Sequence, residues 1–220
     1  KTGTLTQGVI ELNAALDAAG QPSTSVETYA WLNARLQSGL PNPLDEAIVH
    51  KLAPPAEDYT KQDEIPYDFV RKRLSLVVLG KEGEHIMVTK GALDQVLEAC
   101  TRVERPGGEV SLDGEQTTQI RALFEEWSAQ GYRVLGVAFK TFEAQDHSYG
   151  VKDEAEMTFA GFLLFFDPPK ADAPATIAAL ERLGVKLKII TGDNRLVARH
   201  IAQHPVGEHV GEVADEDGHT

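Results

Sequence analysis

The chain has 220 residues, 42% of them hydrophobic, and a formal net charge of −13; that length suits one large domain, or a medium domain plus part of another, with a packed α/β core. The acidity argues against a nucleic-acid surface, which needs clustered Lys and Arg facing phosphates, so an anionic ligand would need a local basic island. The longest apolar run, Phe159 to Phe166, is far short of the ~20 residues a helix needs to cross a bilayer, and no charged-then-apolar leader opens the chain.

The single cysteine, Cys100, cannot form an internal disulfide, which fits a reducing compartment and makes the cytoplasm the expected location. Lys1 to Val9 is Thr-rich and Gly-punctuated, and Val9 to Leu12 reads as a short strand. From Thr28 to Leu52 apolar residues recur at helical spacing (Trp31, Leu32, Leu36, then Leu44, Ala47, Ile48, Leu52), and Gly39, Pro41 and Pro43 break the run into a helical pair. Arg73 to Leu79 and His85 to Thr89, joined through Gly83, describe a β-hairpin.

Ala92 to Cys100 reads as a helix, and a second helix from Glu115 to Gln130 gathers Ile120, Leu123, Phe124 and Trp127 on one face. Gly131 stops it before a strand at Arg133 to Phe139, and another strand, Thr158 to Phe166, ends at Asp167-Pro168-Pro169. Then the pattern becomes helix Ala173 to Leu183, strand Val185 to Ile190, a turn at Thr191-Gly192-Asp193 and helix Asn194 to Gln203, an alternation typical of a parallel sheet. Glu208 to Thr220 mixes acid and glycine without periodicity and is expected to be a loose tail.

The opening Lys1-Thr2-Gly3-Thr4-Leu5-Thr6 resembles the signature of P-type cation-transporting ATPases, where this hexapeptide follows the aspartate that accepts the γ-phosphate of ATP. That chemistry asks for a carboxylate nucleophile at a strand end, a lysine to balance charge and open backbone groups around phosphate and Mg²⁺. Thr191-Gly192-Asp193-Asn194 follows an apolar strand and opens a helix, where amides and a hydroxyl favour an anion. In the family the same turn supplies a phosphate-contacting threonine, here Thr191.

Further resemblances follow in the family's order. Asn42-Pro43-Leu44-Asp45-Glu46-Ala47 is similar to E-A-[ST]-E-x-A, whose second acid lies near the adenine amino group; Asp45 matches it, and Asn42 departs from the first acid. Glu64-Ile65-Pro66-Tyr67-Asp68-Phe69 with Arg71-Lys72-Arg73 resembles the segment that stacks an aromatic ring on adenine and supplies a lysine five residues later. Ungapped alignment gives these roles to Tyr67 and Lys72, with Phe69 the competing ring. Lys90-Gly91-Ala92 resembles the family's K-G-A, Arg133 matches an arginine that reaches toward the polyphosphate, and Asp167-Pro168-Pro169-Lys170 resembles the hinge between the family's nucleotide-binding and phosphorylation domains.

The resemblance implies an α/β chain: an α+β nucleotide-binding domain, residues 11–157, with a mainly antiparallel sheet flanked by helices. It would be inserted in a partial Rossmann-like phosphorylation domain of the haloacid-dehalogenase type, residues 1–10 and 158–220. ATP and Mg²⁺ are the implied ligands. The catalytic side would hold Lys1, Thr2, Thr191, Gly192 and Asp193, with the Thr2 carbonyl among the Mg²⁺ ligands; the nucleotide side would hold Asp45, Tyr67, Phe69, Lys72, Lys90, Gly91 and Arg133.

Ser38-Gly39-Leu40 and the Tyr67 and Asn194 segments look most like the bacterial magnesium-transporting subfamily; calcium-pump-like and sodium-pump-like relatives remain alternatives. The implied partners are the transmembrane and actuator domains of a parent pump, at the cytoplasmic face of the bacterial inner membrane, with the piece itself soluble and monomeric. It is expected to bind nucleotide without turnover, because the nucleophile would precede Lys1 and the G-D-G-x-N-D region is missing. A haloacid-dehalogenase phosphatase with a large cap is a more remote reading, since no D-x-D-x-T loop is present; a non-catalytic nucleotide sensor is a third.

Overall fold

Leu74 to Val78 are buried without interruption, the pattern of a strand covered on both faces, and that strand lies inside the main sheet. The computed structural model describes residues 6–39, 42–143, 148–168, 170–185, 189–190, 195–197 and 213–214. In chain order the elements are β1 (Glu11–Asp17), α1 (Thr24–Leu36), α2 (Pro43–Lys51), β2 (Thr60–Asp68), β3 (Arg73–Leu79), β4 (His85–Ala92), α3 (Leu93–Glu98), β5 (Cys100–Arg105), β6 (Gly108–Ser111), α4 (Gly114–Ala129), β7 (Arg133–Phe142), β8 (Met157–Phe166), α5 (Ala173–Arg182), β9 (Ile189–Ile190) and β10 (Val213–Ala214).

An eight-stranded sheet runs β2-β3-β4-β7-β8-β5-β6, and β1 adds a second pairing to β8. The pairs β2/β3, β3/β4, β4/β7 and β5/β6 are antiparallel and β5/β8 is parallel, so the mixed, mainly antiparallel sheet expected from the sequence is the one observed. β1 and β8 approach so closely that a Cβ at Gly161 would lie 1.9 Å from the Leu16 carbonyl oxygen. Only a residue without a side chain fits there.

The β3/β4 register pairs Leu74 with Lys90, Leu76 with Val88 and Val78 with Ile86, so these residues share one face. Helix α1 covers it: Leu32 packs with Leu76 and Val78, and Trp31, Leu36, Tyr59 and Ile86 close around them. Asn33, buried in the same layer, donates from Nδ2 to the Leu74 and Val88 carbonyls at 3.3 and 2.8 Å, and Tyr29 stacks on Phe139 of β7 with centroids 4.9 Å apart. Both helices begin on side-chain caps: Ser23 Oγ accepts from Val26 N, and Asn42 Oδ1 accepts from Leu44 N and Asp45 N.

The chain divides into two compact units. One comprises Leu12–Arg121 and Val134–Leu164, the other Lys1–Glu11, Ala122–Arg133 and Phe165–Thr220. Within the latter, Asp167 ties the start of the chain to its return: Thr6 Oγ1 donates to Oδ2 at 2.6 Å, Gly8 N to Oδ1 at 3.0 Å, and Gln7 N to the Pro168 carbonyl at 2.9 Å. The same unit holds α5 and the parallel pair β9/β10.

Several elements differ from the sequence reading. β1 starts two residues later than the strand expected at Val9 and runs on to Asp17. Helix α3 ends at Glu98, and Cys100 opens β5. Of the tail expected from Glu208, only Val213 and Ala214 are described; they form β10, which pairs in parallel with β9, and the rest lies outside the described residues. β2 carries Lys61, Gln62, Asp63, Glu64 and Pro66 with no apolar alternation; its position at the sheet edge tolerates both the charge and the missing amide.

Candidate functional site

Asp45 stands in the first turn of α2 with Pro43 at its start, where a carboxylate is favoured by the free amides and the helix dipole. It is buried, and its carboxylate is fully engaged. Oδ2 accepts from Gln37 Nε2 and from Asn42 Nδ2, both at 2.5 Å, and Oδ1 accepts from Lys90 Nζ. The residue that caps α2 therefore also clamps the acid three positions on.

Lys90 is buried on β4, on the face covered by α1. Burial pushes its ammonium below the ordinary lysine range, and the neighbouring Asp45 carboxylate opposes that shift. An ion pair this deep repays its desolvation only when every remaining donor and acceptor is satisfied. Gln37 and Asn42 supply those bonds to Asp45.

The second component is the turn from β2 to β3. Tyr67 is 51% exposed and Phe69 is 86% exposed, so neither ring fills the core. They meet edge to face with centroids 5.5 Å apart. Asp68 organises the turn: Oδ1 accepts from Val70 N and Arg71 N, and its carbonyl accepts from Lys72 N. The Arg71 amide bond, then that from Val70 and the Arg71 charge, hold the Asp68 carboxyl below its usual range.

Lys72 adopts a left-handed backbone, with φ of 47°, a region sparsely used by non-glycine residues. Its carbonyl accepts from Ala92 N at 3.0 Å and lies where a Cβ on Gly91 would be, 2.4 Å away. What comes close to Gly91 in the chain is thus the Lys72 backbone. Sheet register lines the pieces up: Asp68 pairs with Arg73, Arg73 with Gly91, and Gly91 with Gly136. Tyr67, Lys72 and Lys90 each adjoin this rank, which brings segments far apart in sequence to one end of β2, β3 and β4.

Arg133 is exposed, opens β7, and belongs to the other compact unit. Lys1, Thr2, Thr191, Gly192 and Asp193 lie outside the described residues. Among the described residues no three His, Cys, Asp or Glu side chains are grouped to hold a metal ion.

Sequence reasoning missed Gln37, the capping role of Asn42, and Glu154. Glu154 sits in a stretch of charged residues, Lys152-Asp153-Glu154-Ala155-Glu156, that reads as solvated. Its side chain is instead fully buried, taking bonds from Arg71, Arg73 and Ser75. Only a partner search across the fold reveals it; the Asn42-Pro43 pair, by contrast, is a legible helix start.

Residues 34–172 match the family described as P-type ATPase, cytoplasmic domain N. The chain belongs to that family. Among curated relatives, the magnesium-transporting ATPase, P-type 1, of Salmonella typhimurium strain LT2 is 39% identical over 218 residues, 97% of this chain and 24% of its own length. The protein of the same name from Escherichia coli K12 has the same identity and coverage. A calcium-transporting ATPase of Listeria monocytogenes is 29% identical over 147 residues, 67% of this chain and 17% of its own length. The chain spans about a quarter of the length of the magnesium-transporting relatives, and among its described residues no helix is long and apolar enough to cross a membrane.

Proposed function

We propose that the chain is the ATP-binding cytoplasmic part of a pump that couples ATP hydrolysis, through an aspartyl-phosphate, to movement of a metal cation, with Mg²⁺ the favoured ion. The observation that carries this reading is the likeness to magnesium-transporting P-type ATPases over 97% of the chain. Residues 11–157 form the nucleotide-binding domain; 1–10 and 158–220 contribute to the phosphorylation domain, which holds Lys1, Thr2, Thr191, Gly192 and Asp193.

Adenine stacks on Tyr67, the more sheltered ring, with Phe69 against its edge. Lys72 is the exposed cation beside the phosphates; Arg133 is assigned to nucleotide binding from its match to the family's arginine alone. Asp45 and Lys90 border the adenine end as a matched pair, so the pocket there gains polar contacts without net charge. Mg²⁺ would accompany the phosphates, offsetting their charge, and by the family resemblance the Thr2 carbonyl would be one of the groups that hold it.

The test is an amide NMR titration with ATP and with GTP. Saturable shifts at Tyr67, Asp45, Lys72 and Lys90, larger for ATP, support the assignment. No response at these amides removes the site.

A further inference from the structure

Arg71 and Arg73 flank Lys72 and would otherwise compete with it for the same phosphates. Both are turned inward. Arg71 Nη1 donates to Glu154 Oε2 at 2.5 Å and Arg73 Nε to the same oxygen at 3.0 Å, while Ser75 Oγ donates to Oε1 at 2.5 Å. Glu154 is 3% exposed, and charge-assisted bonds in such surroundings are strong and directional.

The remaining donors of the arginines hold backbone on either side. Arg71 Nη2 donates to the Pro66 carbonyl at 2.8 Å, next to Tyr67, and Arg73 Nη1 to the Gln95 carbonyl at 2.6 Å. Ser75 in turn bonds Thr89 across the β3/β4 pair. Glu154 follows the short turn Val151–Asp153, and its neighbour Ala155 is held through its carbonyl by Lys140. One carboxylate therefore grips both ends of the segment carrying Tyr67, Phe69 and the left-handed Lys72.

We propose that Glu154 is a positioning residue for nucleotide binding: by drawing Arg71 and Arg73 inward it fixes Lys72 in its left-handed conformation and leaves that lysine as the cation of the turn that faces the phosphates. The proposal rests on the assignment of Tyr67 and Lys72 to the nucleotide site. Its experiment separates the two.

ATP affinity of the 220-residue chain is measured by calorimetry for the wild type, Lys72→Met, Glu154→Gln and the double variant, with folding checked by circular dichroism. Loss of one charge-assisted contact weakens binding about ten-fold, and that is the effect expected of Lys72→Met. Glu154→Gln weakens ATP to a similar degree, and adding Lys72→Met to it costs less than about two-fold, because the lysine is already misplaced.

A residue that merely supported the fold would leave the effect of Lys72→Met intact in the Glu154→Gln background. That result, or unchanged affinity of Glu154→Gln, overturns the proposal while the nucleotide site stands. A wild-type chain that binds no ATP overturns both. If Glu154→Gln does not fold, Arg71→Met, which removes that side chain's ties to Glu154 and to the Pro66 carbonyl while leaving the Arg73–Glu154 pair, takes its place under the same criteria.

Discussion

Replacing Asp45 with Asn keeps the shape of the buried cluster and removes its negative charge. An amide cannot satisfy donors on both sides: one oxygen of Asp45 faces Lys90 and the other faces Gln37 and Asn42, so either orientation sets NH₂ against a donor. The buried ammonium is then uncompensated, and breaking such a pair costs about 3–5 kcal/mol. Shedding the proton offers no cheaper escape, since neutralising at pH 7 a lysine that titrates near 10.4 when unfolded costs about 5 kcal/mol.

These two routes differ in pH dependence. If Lys90 folds neutral in Asp45→Asn, the unfolded state binds the extra proton, and stability relative to wild type rises with pH, by up to about 1.4 kcal/mol per unit between pH 7 and 9. The assay is urea unfolding followed through Trp31, which packs in the α1 layer, with Trp127 replaced by Phe. The double variant Asp45→Leu/Lys90→Met recovers most of the loss, because an apolar pair of similar volume avoids the desolvation penalty. A cost below about 1 kcal/mol for Asp45→Asn, or losses that simply add in the double variant, would refute the description of a closed, mutually dependent pair.

Tyr67→Ala weakens ATP binding by about 1–3 kcal/mol, the worth of an aromatic stack on a base, whereas Phe69→Ala has the smaller effect; calorimetry showing the reverse order moves the adenine to Phe69. Gly91→Ala drives a methyl into the Lys72 carbonyl and the Arg73 backbone, at 2.4 and 2.7 Å, and lowers stability by about 1–3 kcal/mol, read as a shift of the urea midpoint at constant slope. The Cys100 thiol, pushed up to about 12 by burial despite the nearby Arg73, reacts with iodoacetamide at pH 8 far more slowly than the unfolded chain; equal rates contradict its burial. Burial raises the Glu104 carboxyl although Ser25 donates to it, so its contribution is favourable below the unfolded value and is lost as pH rises through the folded one. Glu104→Gln is accordingly more stable than wild type at neutral pH, and thermal melts show the gain vanishing in acid.

Residues that repeat with a clear period were read from the sequence: α2, β3, α4, β8 and α5 to within a residue or so of their ends, and α1, β4 and β7 three or four residues short, all from apolar spacing and from Gly or Pro near their limits. The motif-bearing residues were legible for another reason. Tyr67, Lys72 and Lys90 sit in short stretches that resemble the family's motifs, and that resemblance, not apolar spacing, singles them out against a core that accepts any suitable hydrophobe. β2 was not legible, because an edge strand needs no buried face and its order comes from pairing with β3.

What the sequence determined by itself is the family, the mixed α/β class and the identity of the candidate nucleotide-side residues. What only the tertiary structure decided is how their charges are spent. Lys90 is paired with Asp45, Arg71 and Arg73 are both drawn onto the one carboxylate of Glu154, and Lys72 is left exposed on a left-handed backbone. Ion pairs between residues separated by 45 and 83 positions have no signature in local spacing. They arise because the sheet register sets distant segments side by side and because a buried charge must find its counterpart there.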